Sequence, residues 1–225
     1  MRTLAPDRPQ PHHAWLTLIG LSAISSLLIS GPLVSLAVFI PVLRQVEGWS
    51  DSALGGAASA LLLCMSLACI VSGALCDKFS PRLVILGGGV LTTLGCIFAS
   101  RAQTPTSFVE AYIAIGTGIG LSAIVPSIAV LSRAFPDRRG MALGIYFASI
   151  ALVSACFPTL SNMLIDMLGW RGALMVVSGL IALSLPLALF IQQAPKSGAT
   201  APDGTPSGDS LPGLSARSAL MSPKY

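Results

Sequence analysis

Six apolar runs, each near the length of a bilayer crossing, constrain this chain more than any other feature. They cover residues 15–43, 53–75, 83–100, 108–131, 141–165 and 172–191. An α-helix spans the hydrocarbon core of a membrane with roughly 20 apolar residues, and six such runs take up most of the 225-residue chain. Composition agrees. Hydrophobic residues make up 53% of the chain and charged residues 10%, whereas a soluble domain covers its surface with roughly 25% charged residues. Soluble enzymes, nucleic-acid modules and disordered chains are disfavoured on that ground. The first run is too long for the apolar core of a secretory signal, and no small-residue cleavage pattern follows it, so it stays a helix. The expected fold class is all-α, a polytopic membrane protein with six transmembrane helices.

The breaks between runs are short and hold nearly all the charge. With the N-terminus inside, the inner side carries Arg2, Arg8, Lys78, Arg82, Arg133, Arg138, Arg139, Lys196, Arg217 and Lys224. The outer side carries only Arg44, Arg101 and Arg171. This is the positive-inside bias, and it accounts for the net charge of +4 without a nucleic-acid partner. Both termini are expected in the cytoplasm, and the expected location is a bacterial inner (plasma) membrane. Residues 1–14 read as a cytoplasmic leader, 15–191 as a six-helix half-bundle in the bilayer, and 192–225, rich in Pro, Gly, Ser and Ala, as a flexible linker.

Catalytic and metal chemistry finds no foothold. Cys64, Cys69, Cys76, Cys96 and Cys156 form no CxxC pair and have no histidine nearby, while His12 and His13 sit in the polar leader. Small apolar packing is the plainer role for such thiols. No metal or cofactor is expected. Every Asp, Glu, Lys and Arg falls in a loop, a tail or at the rim of a run. The segment therefore shows no intramembrane proton relay and no grouping of an intramembrane enzyme.

Three loop segments carry more information. After the second run the chain reads Gly73-Ala-Leu-Cys-Asp77-Lys78-Phe-Ser-Pro-Arg82. Gly73 lets helices approach, Asp77 suits a helix N-terminus or a base, and Lys78 and Arg82 suit the opposite partner. The blander reading is a charged loop that stops two helices. Between the fourth and fifth runs lies Arg133-Ala-Phe-Pro-Asp137-Arg138-Arg139-Gly140-Met-Ala-Leu-Gly144, and after the fifth lies Leu168-Gly169-Trp170-Arg171. The first segment resembles the cytoplasmic signature of the major facilitator superfamily, G-x-x-x-D-R/K-x-G-x-R/K. Ser80 replaces its second Gly and Pro81 a usual basic residue. The other two resemble the F-P-x-x-R-R-G-x-A-x-G and G-W-R segments of monocarboxylate-transporter-like and oxalate/formate-antiporter-like members.

That resemblance implies half of a twelve-helix fold, built as a 3+3 inverted repeat, with a second six-helix half as partner. The end of the chain, Leu214 to Tyr225, is similar to the lead into a seventh helix in those relatives. The implied function is secondary transport of a small solute by alternating access, most of all an organic anion such as a monocarboxylate, by a truncated or partial transporter. A non-transporting membrane remnant or scaffold is the alternative. A drug or metabolite exporter ranks lower, because Tyr112 stands where drug antiporters carry an Arg and Ser154-Ala-Cys-Phe-Pro-Thr159 where they carry G-P-x-x-G-G. In this family reading Gly73, Asp77, Lys78 and Arg82 form a gating latch, with Arg133, Asp137, Arg138 and Arg139 in the second cytoplasmic loop.

A solute path has to come from uncharged polar groups. Ser22, Ser26 and Ser30 share one helical face, with Ser25 beside them, and Gly31-Pro32 then permits a kink. The face serves equally as a small-residue packing seam. Tyr146 and Ser149, three residues apart, are a second candidate for solute contact. Gly116-Thr-Gly118-Ile-Gly120 has no preceding strand and no following Lys, so it reads as close helix packing and not a phosphate loop.

Overall fold

The computed structural model describes residues 11–190, and all its regular elements are helical. They are α1 (Pro11–Ile29), a π-helical turn (Ser30–Val34), α2 (Ser35–Val46), α3 (Asp51–Lys78), α4 (Pro81–Ser100), α5 (Pro105–Ser122), α6 (Val125–Ala134), α7 (Arg139–Ser184) and a 3₁₀ segment (Leu185–Phe190). Most of the leader and all of the linker at 192–225 lie outside the described residues. α1 begins at Pro11, so the last part of the expected leader is already helical.

Five stretches are long and apolar enough to cross a bilayer: Ala14–Val46, Asp51–Lys78, Pro81–Ser100, Pro105–Ala134 and Arg139–Ala188. The runs at 141–165 and 172–191, expected as separate helices, fall within the last of these. Gly169 interrupts it with φ 71° and ψ 171°, a backbone region open to glycine and costly for other residues. Contacts on either side show what the interruption does. Ser154 and Ser161 lie against Ser30 and Ser35, and Trp170 meets Glu47 at the bundle's end. A Cβ on Gly31 would lie 2.8 Å from Val177, and one on Gly20 within 4 Å of Leu187. The chain ascends beside α1 and α2, reverses at Gly169 and descends again. One residue does the work of a loop because helix resumes at once on both sides.

The other helix ends follow their punctuation. Ser50 caps α3 by accepting from the Ala53 N–H, with Asp51 in the positively polarised first turn. Pro81 and Pro105 open α4 and α5, where a missing N–H costs nothing. Thr104 and Ser107 complete a reciprocal capping box at α5. Gly48, with φ 68°, ends the first span after the Glu47 N–H has bonded back to the Leu43 carbonyl.

α5 packs most extensively of all, against α3 on one side and α4 on the other. Its glycines allow this. A Cβ on Gly116 would collide with the backbone of Leu61 in α3, and one on Gly120 with the Met65 carbonyl. A Cβ on Gly118 would meet Thr92 and the Gly88 carbonyl in α4. In a bilayer, where lipid is as apolar as leucine, such backbone approach supplies much of the association. α1 packs on α7, and α4 packs on α7 as well.

Candidate functional site

Two spans are broken near their middles, and the breaks dictate where polar groups gather. In the first span Pro32 has no N–H to give the preceding turn. The chain widens into the π-turn Ser30–Val34, and hydroxyls bracket it. Ser30 Oγ lies 2.8 Å from Ser154 Oγ, and Ser35 Oγ 2.6 Å from Ser161 Oγ, both across to α7. In the fourth stretch Pro126 likewise interrupts the ladder where α5 gives way to α6. There the Ala123 carbonyl takes two side-chain donors, the Tyr146 hydroxyl at 2.7 Å and the Ser25 hydroxyl at 3.2 Å. Ser25 Oγ also sits 3.4 Å from Ser127 Oγ. α1, α5–α6 and α7 therefore meet at one backbone oxygen, recaptured by side chains because no water reaches it in a bilayer.

The expected pathway residues divide along this seam. Ser30 is bonded across to α7, and Tyr146 is fully buried and spent on Ala123. Ser149 is half-buried and donates to the Tyr146 carbonyl in its own helix. Ser26 is buried at 2% exposure, and its Oγ, like that of Ser22, finds no hydrogen-bond partner among the described residues. Sequence reasoning passed over Ser35, Ser127 and Ser161. Apart from Tyr112, Tyr146, Trp49, Trp170 and Cys96, the buried side chains among the described residues that carry a polar group are serines and threonines. Such a lining donates hydrogen bonds to an anion but cannot neutralise its charge.

The two basic loops lie together at one end. Asp77, Lys78, Arg133, Asp137, Arg138 and Arg139 are exposed, and Arg82 is half-buried. Cys76 lies within electrostatic reach of both Asp77 and Arg133, which joins the end of α3 to the end of α6. Gly73 was expected to permit close helix approach, yet a Cβ there would meet nothing within 4 Å. Its open side faces no described residue.

The Gly169-Trp170-Arg171 segment builds a clamp at the opposite end. Glu47 Oε1 accepts from Trp170 Nε1 at 3.2 Å and pairs with Arg171 Nη1 at 3.0 Å. Arg171 Nη2 donates to the Ala102 carbonyl at 3.2 Å, and its guanidinium lies 4.4 Å from the Trp170 ring centre. Trp170 edges onto Trp49 and Phe108, and Phe108 lies tilted against Tyr112. Sequence alone marked this segment only as a family likeness. Its partner Glu47 carried no signal.

A bundle of membrane-length helices, interrupted at mid-span and bridged there by hydroxyls, has the architecture from which membrane transporters are built. The chain belongs to the Major Facilitator Superfamily, whose family model matches residues 12–223. It is 35% identical over 176 residues to monocarboxylate transporter 13 of Bos taurus, covering 76% of this chain and 40% of that protein. Monocarboxylate transporter 4 of Rattus norvegicus is 31% identical over 181 residues, covering 77% and 36%. Monocarboxylate transporter 2 of Homo sapiens is 26% identical over 185 residues, covering 80% and 38%. The chain thus spans about two fifths of the length of the curated relatives it matches.

Proposed function

We propose that this chain forms the amino-terminal half of a secondary transporter that moves a small organic anion, such as a monocarboxylate, by alternating access. The similarity to monocarboxylate transporters along three quarters of the chain carries the reading. In it the half holds six crossings arranged as a 3+3 inverted repeat, the last two being the stretches before and after Gly169. Residues 1–14 are a cytoplasmic leader, and 192–225 a cytoplasmic linker toward a seventh helix in the plasma membrane. The second six-helix half completes the path.

Ser26, Ser30, Tyr146 and Ser149 line this half of the path, Ser26 first among them because its buried hydroxyl is unclaimed. Burying a carboxylate without a counter-charge costs several kcal/mol. The cation or proton-carrying group that offsets it belongs to the second half, since the buried polar groups described here are neutral at pH 7. Gly73, Asp77, Lys78 and Arg82 act as a latch toward that half, supported by the exposure of Asp77 and Lys78 and by the open side of Gly73.

Uptake of a radiolabelled short-chain monocarboxylate by the complete transporter in proteoliposomes tests the reading. Saturable uptake, inhibited by unlabelled analogues, is the expected result; no carboxylate flux at any imposed gradient defeats it. The latch has its own test. Asp77→Asn is expected to slow maximal transport several-fold and to leave half-saturation within about twofold. Loss of solute affinity with unchanged maximal rate would remove Asp77 from the latch.

A further inference from the structure

We infer that an open cleft at the Gly169 end of the bundle, between the close of α4 and the start of α7's descending stretch, seats the phosphate of a membrane phospholipid. The cleft encloses about 760 Å³ and is lined by Ser100, Arg101, Gln103, Arg171, Gly172 and Met175. Two guanidiniums and an amide face it, and no carboxylate does. Glu110 and Asp166, at the same end of the bundle, lie outside this lining.

The two arginines are not equivalent. Arg171 is committed to Glu47, to the Ala102 carbonyl and to the Trp170 face. Arg101 is exposed, and its side chain makes no hydrogen bond or ion pair among the described residues. It therefore has its full set of donors to offer, in the forked geometry that suits phosphate oxygens.

The surroundings select a lipid over a dissolved anion. Val90, Leu94 and Phe98 form an exposed band along α4 at helical spacing, ending one turn from Arg101. Met175 and Leu183 flank the open side of Gly179 and form a second exposed band on the neighbouring stretch of α7. A phospholipid places its phosphate at the depth where a helix ends and its acyl chains along such bands, whereas a soluble phosphate or carboxylate uses the arginine and leaves the bands idle. An arginine closing a helix also complements the helix dipole, but that role needs neither the cleft nor the bands.

Native mass spectrometry of the purified chain, titrated with dioleoylphosphatidylglycerol or with an uncharged glucosyl-diacylglycerol of the same acyl chains, tests the assignment. The expected result is preferential retention of one phosphatidylglycerol, weakened about tenfold by Arg101→Gln and largely restored by Arg101→Lys. Arg101→Gln should lower the thermal midpoint only slightly, since its guanidinium holds no partner among the described residues and loses only its contribution at the helix end. Gln103→Leu provides a second variant with a smaller loss. Equal retention of both lipids, or equal retention by wild type and Arg101→Gln, overturns the proposal. Displacement of the lipid by glycerol 3-phosphate at matching concentration also overturns it, because the cleft would then serve a soluble anion.

Discussion

The Ala123 carbonyl carries more of the architecture than its residue type suggests. Two hydroxyls reach it from different helices, so removing one leaves the oxygen still paired. Ser25→Ala or Tyr146→Phe should each cost about 1 kcal/mol, and the double variant more than their sum, because only it strands a buried carbonyl. Thermal unfolding in detergent reads this directly; strict additivity would mean the two bonds are independent. Glu47→Ala should cost about 1 kcal/mol as well, modest because Arg171 is about half exposed, and scanning calorimetry would register it. At this scale sequence was a partial guide. The hydroxyls of Ser26 and Ser30 stood out at helical spacing, but Ser35 follows Ser30 by five residues. The π-turn between them adds the extra residue that returns Ser35 to the α7 side. A pattern search assuming an unbroken α-helix places it on the wrong face.

Among the elements, α5 is the keystone, and its glycines separate space that is filled from space that is open. Gly116→Val should drive a side chain into the Leu61 backbone, costing several kcal/mol and abolishing a monodisperse size-exclusion peak. Gly144→Ala meets nothing within 4 Å and should stabilise its helix by about 0.5–1 kcal/mol. A Gly116→Val protein as stable as its parent would refute the packing. These contacts were legible from the Gly-x-Gly-x-Gly spacing because small residues in apolar helices have few other uses. The reversal at Gly169 was legible only as an interval between two apolar runs. That helix would continue to within one residue of the turn could not be read, since hydropathy reports environment and not backbone hydrogen bonding. The clamp on Glu47 was invisible for another reason: residues 47 and 171 meet only once the bundle has formed.

For the whole molecule, apolar run lengths and loop charges make the class legible in the sequence, because a bilayer constrains both. The substrate path was less legible, since it rests on neutral hydroxyls that serve packing equally well. The proposed orientation predicts that a single cysteine at Gln103, with the five native cysteines replaced, reacts with a membrane-impermeant thiol reagent added outside intact cells. A cysteine at Arg138 should react only after permeabilisation; the reverse pattern would invert the topology. In the proposed function these residues supply one half of a transport path and none of the charge that neutralises its solute. Monocarboxylate uptake into proteoliposomes, freed of host transporters, tests it most directly when the 225-residue chain is compared with the same chain paired with its second six-helix half. No saturable uptake by the chain alone and saturable uptake by the pair are the expected results. Saturable uptake by the isolated chain, or none by the pair, would contradict the proposed function.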